Sequence, residues 1–480
     1  MVRFAVRCLM PATLLVFSVL CPAVSAQISN SDHQMARDIF RQLVEINTTD
    51  SVGNVTTAAK AMEQRMLDAG FSQGDIFIGG ASDTKENLVV RYRGTGKKKP
   101  ILFICHLDVV EAPRLEWHTD PFQFVEKDGF YYGRGTQDMK DDDAILVSTF
   151  ILMRKAHYVP DRDLILALTA GEESGLSNGV DWLLKNHPEL MQAGYVINPD
   201  GGGVDLVDGK PVSVDIDATE KLYGDYQLVA TNPGGHSSLP VPDNAIYHVA
   251  DALGRVQNLK FPFALNAVTR AYFERLSTME SGQNAADMKA ILRPDPDPAA
   301  IARLSATPEW NSMMHTTCVA TRFDAGLANN ALPQRAEAIV NCRILPGYTL
   351  EQIRQQLVSN IADPKVTVSY VSDHGEGTLK TAPDRKQHPP APLNPEIMSA
   401  MDQIAAKMWP GAPVIPTMAT GASDSVYTMA AGMPSYGISG VAIETNDVRA
   451  HARDERLPIV SFDRGLDFFY QFIHTLTSSD

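Results

Sequence analysis

The chain has 480 residues, 44% hydrophobic and 21% charged, with a formal net charge of −15. That composition is ordinary for a globular protein and excludes a disordered chain, a collagen repeat or a coiled coil. The acidic balance argues against a nucleic-acid partner, which would need a concentrated excess of Lys and Arg, and the length predicts two or three domains at roughly 100–200 residues each.

Read in chain order, the first feature is a leader. Arg3 and Arg7 precede an apolar run at 9–21, and Val24-Ser25-Ala26 supplies small residues before Gln27. This is the layout of a secretory signal peptide cleaved after Ala26. The run is too short to span a bilayer, so the mature chain is expected in the periplasm or outside the cell with no stable membrane anchor. Bulky Leu20 before Cys21 and Pro22 after it argue against lipidation.

Met35, Ile39, Phe40, Leu43 and Val44 then recur at helical spacing, and a second helix over 58–69 stops at Gly70. Short apolar runs at 88–92, 101–105, 164–169 and 195–198 alternate with helical stretches at 139–156 and 179–186. This alternation predicts an α/β sheet with central parallel strands.

From about Lys221 the pattern changes. Strand-like runs at 226–231, 315–323, 336–344 and 366–371 alternate with helical stretches at 244–256 and 351–361. A long, polar, partly helical stretch covers 269–314. The segment predicts a ferredoxin-like α+β unit. After a Pro- and Lys-rich linker at 374–393 the first rhythm resumes, with a helix at 395–408, a Gly-rich turn at 421–425, an apolar run at 437–441 and a last helix at 463–475. The expected organisation is a signal peptide at 1–26 and a catalytic domain in two parts, 27–220 and 376–480, with an inserted domain at 221–375. Of the cysteines beyond the leader, Cys105 reads as a small buried hydrophobe. Cys318 and Cys342 either bridge across two strands or stay as two unpaired thiols.

The chemistry-bearing residues follow apolar runs. His106 and Asp108 follow the run at 101–105, Glu172 and Glu173 follow the run at 164–169, and Asp200 follows the run at 195–198. Asp138 closes a Gly-flanked segment leading into a helix, and His451 stands near the C-terminus. In open parallel sheets, sites form outside the carboxyl ends of the strands. Taken singly, an HxD pair or a GEE turn is most simply a solvated loop. Together, carboxylates and imidazoles converging on one crevice demand cations, and a nitrogen and oxygen donor set without thiolate suits zinc, with cobalt or manganese as substitutes.

The stretch His106 to Lys140 (HLDVV-EAP-W-DPF-DG-YGRGT-D-K), followed by GEE, resembles the co-catalytic dizinc exopeptidases and amidohydrolases related to glutamate carboxypeptidase, aminoacylase, carnosinase and succinyl-diaminopimelate desuccinylase, nearest to the carboxypeptidase S branch. The resemblance implies two zinc ions bridged by Asp138, one also held by His106 and Asp200, the other by Glu173 and His451. It implies Glu172 as general base and acid, and Asp108 as the partner that orients His106. It implies His236, in Gly234-Gly235-His236-Ser237-Ser238, as oxyanion donor from an insert that acts as a lid and forms a homodimer. Arg343, Asn330 and the turn Gly421 to Ser423 match positions that hold a substrate carboxylate. A salt-bridged strand arginine and a plain tight turn are the bland alternatives for these. The expected activity is hydrolysis of the amide bond next to a C-terminal residue in a small peptide. The alternative is the same chemistry on N-acyl amino acids. Two departures stand out. Asp141, Asp142 and Asp143 follow Lys140, where they read as favourable acids at a helix N-terminus. Position 200 is Asp where aminoacylase-like members carry Glu, which leans towards peptidases.

Overall fold

In the computed structural model, residues 28–175, 177–372, 377–383 and 389–478 are described. The expected signal peptide at 1–26 lies outside them, as does part of the linker. The strands Ile101–His106 and Leu164–Thr169 are buried at every position, as parallel strands covered on both faces must be. Their register runs from Ile101 opposite Leu164 to His106 opposite Thr169. Tyr195–Asn198 lies parallel on the other side of Ile101–His106, and Ser435–Gly437 lies parallel beyond it. The carboxyl ends of these strands therefore share one border of the sheet.

Ten described strands make up this sheet, and antiparallel pairs flank its parallel centre. Side-chain alternation divides the core. Ile101, Phe103 and Cys105 join the helices Asn30–Glu45, Lys140–Lys155 and Ile459–Thr477 on one face. Leu102 and Ile104 meet Val180 and Leu183 of Gly179–Asn186 on the other. The result is the expected mixed α/β architecture.

The second sheet is antiparallel. Its four long strands, Leu222–Thr231, Thr317–Ala325, Arg335–Ile344 and Val366–Val371, alternate with the helices Ala245–Gln257 and Leu350–Ile361 in the chain order β-α-β-β-α-β. Counted in that chain order, the strands lie side by side as 4-1-3-2, the ferredoxin-like arrangement. Along Arg335–Ile344 alternate positions are buried, and Ala336, Ala338, Val340, Cys342 and Ile344 all point into the unit's own core. Cys318 and Cys342 face each other in register and are disulfide-bonded, leaving Cys105 as the one free thiol among the described residues, and it is buried.

One stretch departs from the simple picture of a single insert. The polar run at 269–314 falls within four helices, Ala267–Met279, Gly282–Ile291, Pro298–Leu304 and Pro308–Met314. Their apolar residues, including Phe273, Met288, Ile291 and Met314, form a core with Ile415 and Met418 of the strand Val414–Ala419. Arg275 Nε also donates to the Val414 carbonyl at 3.3 Å. These helices thus cover the ten-stranded sheet rather than the ferredoxin-like sheet, because Val414–Ala419 offers the apolar face they need.

Candidate metal centre

His106 closes its strand almost wholly buried, at 2% exposure. Its Nδ1 lies 3.0 Å from the main-chain carbonyl of Asp108 and its Nε2 3.1 Å from Asp138 Oδ1. A carbonyl only accepts, so Nδ1 carries the proton and Nε2 is the nitrogen left for coordination. The orienting contact expected of Asp108 thus comes from its backbone, not its side chain. The Asp108 carboxylate instead accepts from the backbone N–H groups of Glu172 (3.2 Å) and Glu173 (3.0 Å), fixing the turn that carries both acids. That correction follows from reach: the carboxylate stays 3.9 Å from His106 Nδ1.

Asp138 faces two ways. Oδ1 meets His106, and Oδ2 lies 3.0 Å from His451 Nε2, which is also 3.0 Å from Glu173 Oε2. Two donor groups result, His106, Asp138 and Asp200, and Asp138, Glu173 and His451. Within each group the ligand atoms lie within 4.8 Å of one another. The three glycines after Asp200 let the chain turn sharply. Gly202 has φ +70°, and a Cβ there would sit 2.5 Å from the Gly437 carbonyl.

The electrostatics suit cations. Burial, then the nearby Asp138, Asp424 and Glu173, push Asp200 well above the usual carboxylate range against the pull of His106. Burial and the charges of Asp200, Asp424 and Glu173 do the same to Glu172. Burial opposes charge on His106, yet its bond to Asp138 and the surrounding acids raise it well above an ordinary imidazole. His451 is raised to about 10 by its bonds to Asp138 and Glu173. Acids that favour protons and histidines that hold them describe a site short of positive charge. Two divalent cations fit these residues, since the donors are imidazole and carboxylate and Asp138 offers one oxygen to each group.

Glu172 shares its turn with Glu173 but belongs to neither donor group. Ser423 lies near Asp200, although both of its donors are taken. Its N–H and hydroxyl both reach Glu220 Oε2, at 3.0 and 2.8 Å, and its Oγ accepts from Asn198. The Ser423 N–H is therefore engaged by Glu220 and does not point to a substrate carboxylate, and Gly421 remains the open part of that turn.

The other candidates lie on the second sheet. His236 is exposed, and its short strand Gly235–His236 pairs with Ala331–Leu332, while the Asn330 carbonyl accepts from Ser237 N–H. The Ser238 N–H donates to His236 Nδ1, which leaves the proton on Nε2. Arg343 lies 4.7 Å over the Tyr223 ring and has no carboxylate partner among the described residues. None of His236, Asn330 or Arg343 makes a hydrogen bond or ion pair to a candidate metal ligand among the described residues.

Asp141, Asp142 and Asp143 do open the helix Lys140–Lys155, but all three are buried. Asp142 accepts from Ser439 at 3.0 Å. Three further acids escaped the sequence reading. Glu220 ends the strand Lys210–Glu220 and lines, with Asp200, a cavity of about 20 Å³, room for one water, and its buried Oε1 has no hydrogen-bond partner among the described residues. Asp424 accepts from Thr169 at 3.2 Å and from Asn178. Glu455 braces the Asp138 loop. A signal existed for Glu220, an acid at a strand end, and for Asp424, next to the flagged Ser423; none existed for Glu455.

A family model described as peptidase family M20/M25/M40 matches residues 102–475, so the chain belongs to that family of metallohydrolases acting on peptide and amide bonds. The chain is 28% identical over 388 residues to the N-fatty-acyl-amino acid synthase/hydrolase PM20D1 of Xenopus tropicalis, covering 78% of this chain and 72% of that one. It is 25% identical over 447 residues to aminoacylase-1A of Rattus norvegicus, covering 92% and 95%. Its fold is similar to that of an M20 family metallo-carboxypeptidase of Sulfolobus solfataricus, with TM-score 0.67, 16% identity and coverage of 92% and 99%.

Proposed function

We propose that this member of the M20/M25/M40 family is an exported, zinc-dependent exopeptidase that hydrolyses the amide bond next to a C-terminal residue bearing a free carboxylate. The observation that carries the reading is Glu172 beside two donor groups that share Asp138. His106, Asp138 and Asp200 would hold one zinc, and Asp138, Glu173 and His451 the other. When bound, such a pair supplies Lewis acidity, which acidifies water and polarises a carbonyl. Glu172 takes the proton of the attacking water and delivers it to the departing amine nitrogen. His236, with its proton on Nε2, lies beyond the end of the second sheet opposite Arg343, so it donates to the oxyanion of a substrate held by the partner protomer of a homodimer. Arg343, its guanidinium 4.7 Å over the Tyr223 ring and with no carboxylate partner among the described residues, forks the substrate carboxylate.

The relatives named N-fatty-acyl-amino acid synthase/hydrolase favour a second reading, in which the group removed from the same amino acid is acyl rather than peptidyl. Export rests on the leader, and the Cys318–Cys342 disulfide suits an oxidising compartment. The open edge of Thr317–Ala325, with Val319 and Phe323 exposed, supports a homodimer through the insert. The test incubates zinc-loaded residues 27–480 with dipeptides, N-acyl amino acids and their C-terminal amides, and reads the products by mass spectrometry. Cleavage of free-acid dipeptides supports the first reading, and cleavage of acyl substrates alone replaces it with the second. Equal cleavage of the amides overturns both.

A further inference from the structure

Glu455 is fully buried, four residues after His451, and no step above uses it. Its carboxylate takes four donors from one short stretch of chain. Oε2 accepts from the Arg134 guanidinium and from Gly135 N–H at 3.1 Å. Oε1 accepts from the N–H groups of Gln137 at 2.6 Å and Asp138 at 3.2 Å. Arg134 in turn lies 5.0 Å over the Trp117 ring and reaches the His451 carbonyl at 3.4 Å. Gln137 ties the same two segments a second time. Its Oε1 accepts from Arg449 N–H at 2.6 Å, and its Nε2 donates to the Arg456 carbonyl at 2.6 Å.

The loop ending in Asp138 and the turn bearing His451 are over three hundred residues apart in sequence, yet they are stitched together by one buried carboxylate and one amide. Apart from its contacts with Asp138 and Glu173, the His451 side chain is 57% exposed, and its backbone takes φ +62°. We propose that Glu455, with Gln137 as its second stitch, is a positioning residue that fixes Asp138 and His451 relative to each other, so that the cation shared by Asp138, Glu173 and His451 is bound tightly. A buried carboxylate satisfied by several N–H groups is a rigid anchor, and losing a partner that orients metal ligands costs about 10–100-fold in affinity. The proposal rests on the reading of Asp138, Glu173 and His451 as ligands.

The test compares wild-type residues 27–480 with Glu455→Gln and Gln137→Ala. Zinc per chain is measured at a series of fixed free-zinc concentrations, and the thermal midpoint is measured with and without zinc. The expected wild type holds two zinc ions. In both variants one of the two weakens by about tenfold or more, and the midpoint gain on adding zinc shrinks. A residue with a purely structural role would lower the midpoint equally with and without zinc and leave affinity unchanged, which overturns the proposal. If Glu455→Gln does not fold, Gln137→Ala, which keeps the Arg134–Glu455 pair, decides the matter alone. Fewer than two zinc ions in the wild type overturns the ligand reading itself.

Discussion

The border of the parallel sheet and the two ends of the second sheet hold different candidate residues and are built in opposite ways. At the border, His106 is buried, its tautomer is set by a carbonyl, and the turn of Glu172 and Glu173 is clamped by Asp108. On the second sheet, His236 is exposed beyond the Thr231–Arg335 end, and Arg343, at the other end, lies over the Tyr223 ring with no carboxylate partner among the described residues. On the proposed reading, groups that meet a cation or a water in fixed geometry are locked by the fold, and groups that meet a substrate are left unsatisfied, as recognition requires.

If that division is right, substitutions at the border should abolish chemistry and those on the second sheet should be graded. The largest effect is expected for Glu172→Gln, with kcat down by about 10²–10⁴-fold and zinc content unchanged, as measured by steady-state kinetics and metal analysis. Loss of zinc in this variant would place Glu172 among the ligands. His236→Ala should lower kcat by about 10²–10³-fold without touching metal content. An unchanged kcat would leave His236 out of the reaction. Arg343→Met should act mainly on KM, raising it by roughly ten- to a hundredfold for a lost charge-assisted bond, and should erase the preference for free carboxylates over amides. A kcat loss as deep as that of Glu172→Gln would dissolve the contrast between the border and the second sheet.

The smallest expected effect concerns stability and pH. Each region holds a histidine between two aspartates, His33 with Asp463 and Asp467 in the catalytic domain and His248 with Asp363 and Asp243 in the insert. Both are raised by the neighbouring carboxylates, His33 to about 9. A raised folded value means the stabilisation is complete below the ordinary imidazole value and is lost as pH rises through the folded one. Calorimetry should therefore find His33→Gln destabilised at about pH 6 and matching wild type near about pH 10. His248→Gln should behave alike but more weakly, since its surroundings are more exposed. A deficit that grows with pH would contradict the assignment.

Much of this was legible in the sequence, for a physical reason. Strands buried on both faces leave unbroken apolar runs, so His106, the Glu172–Glu173 turn and Asp200 could be placed at strand ends before any coordinates. The alternation from Ala336 to Ile344 likewise marked a one-sided antiparallel strand. The rest depended on contacts that sequence spacing does not encode. Whether Asp108 uses its carbonyl or its carboxylate depends on a turn. The helices at 267–314 found their apolar partner over a hundred residues later, at Ile415 and Met418. Glu455 looks like any surface acid until the Asp138 loop folds around it.

The most direct test of the dinuclear site is crystallographic. Crystals of residues 27–480 grown with zinc should give two anomalous-scattering peaks, one touching His106, Asp138 and Asp200 and the other Asp138, Glu173 and His451. A single peak, or two peaks that do not share Asp138, would contradict it.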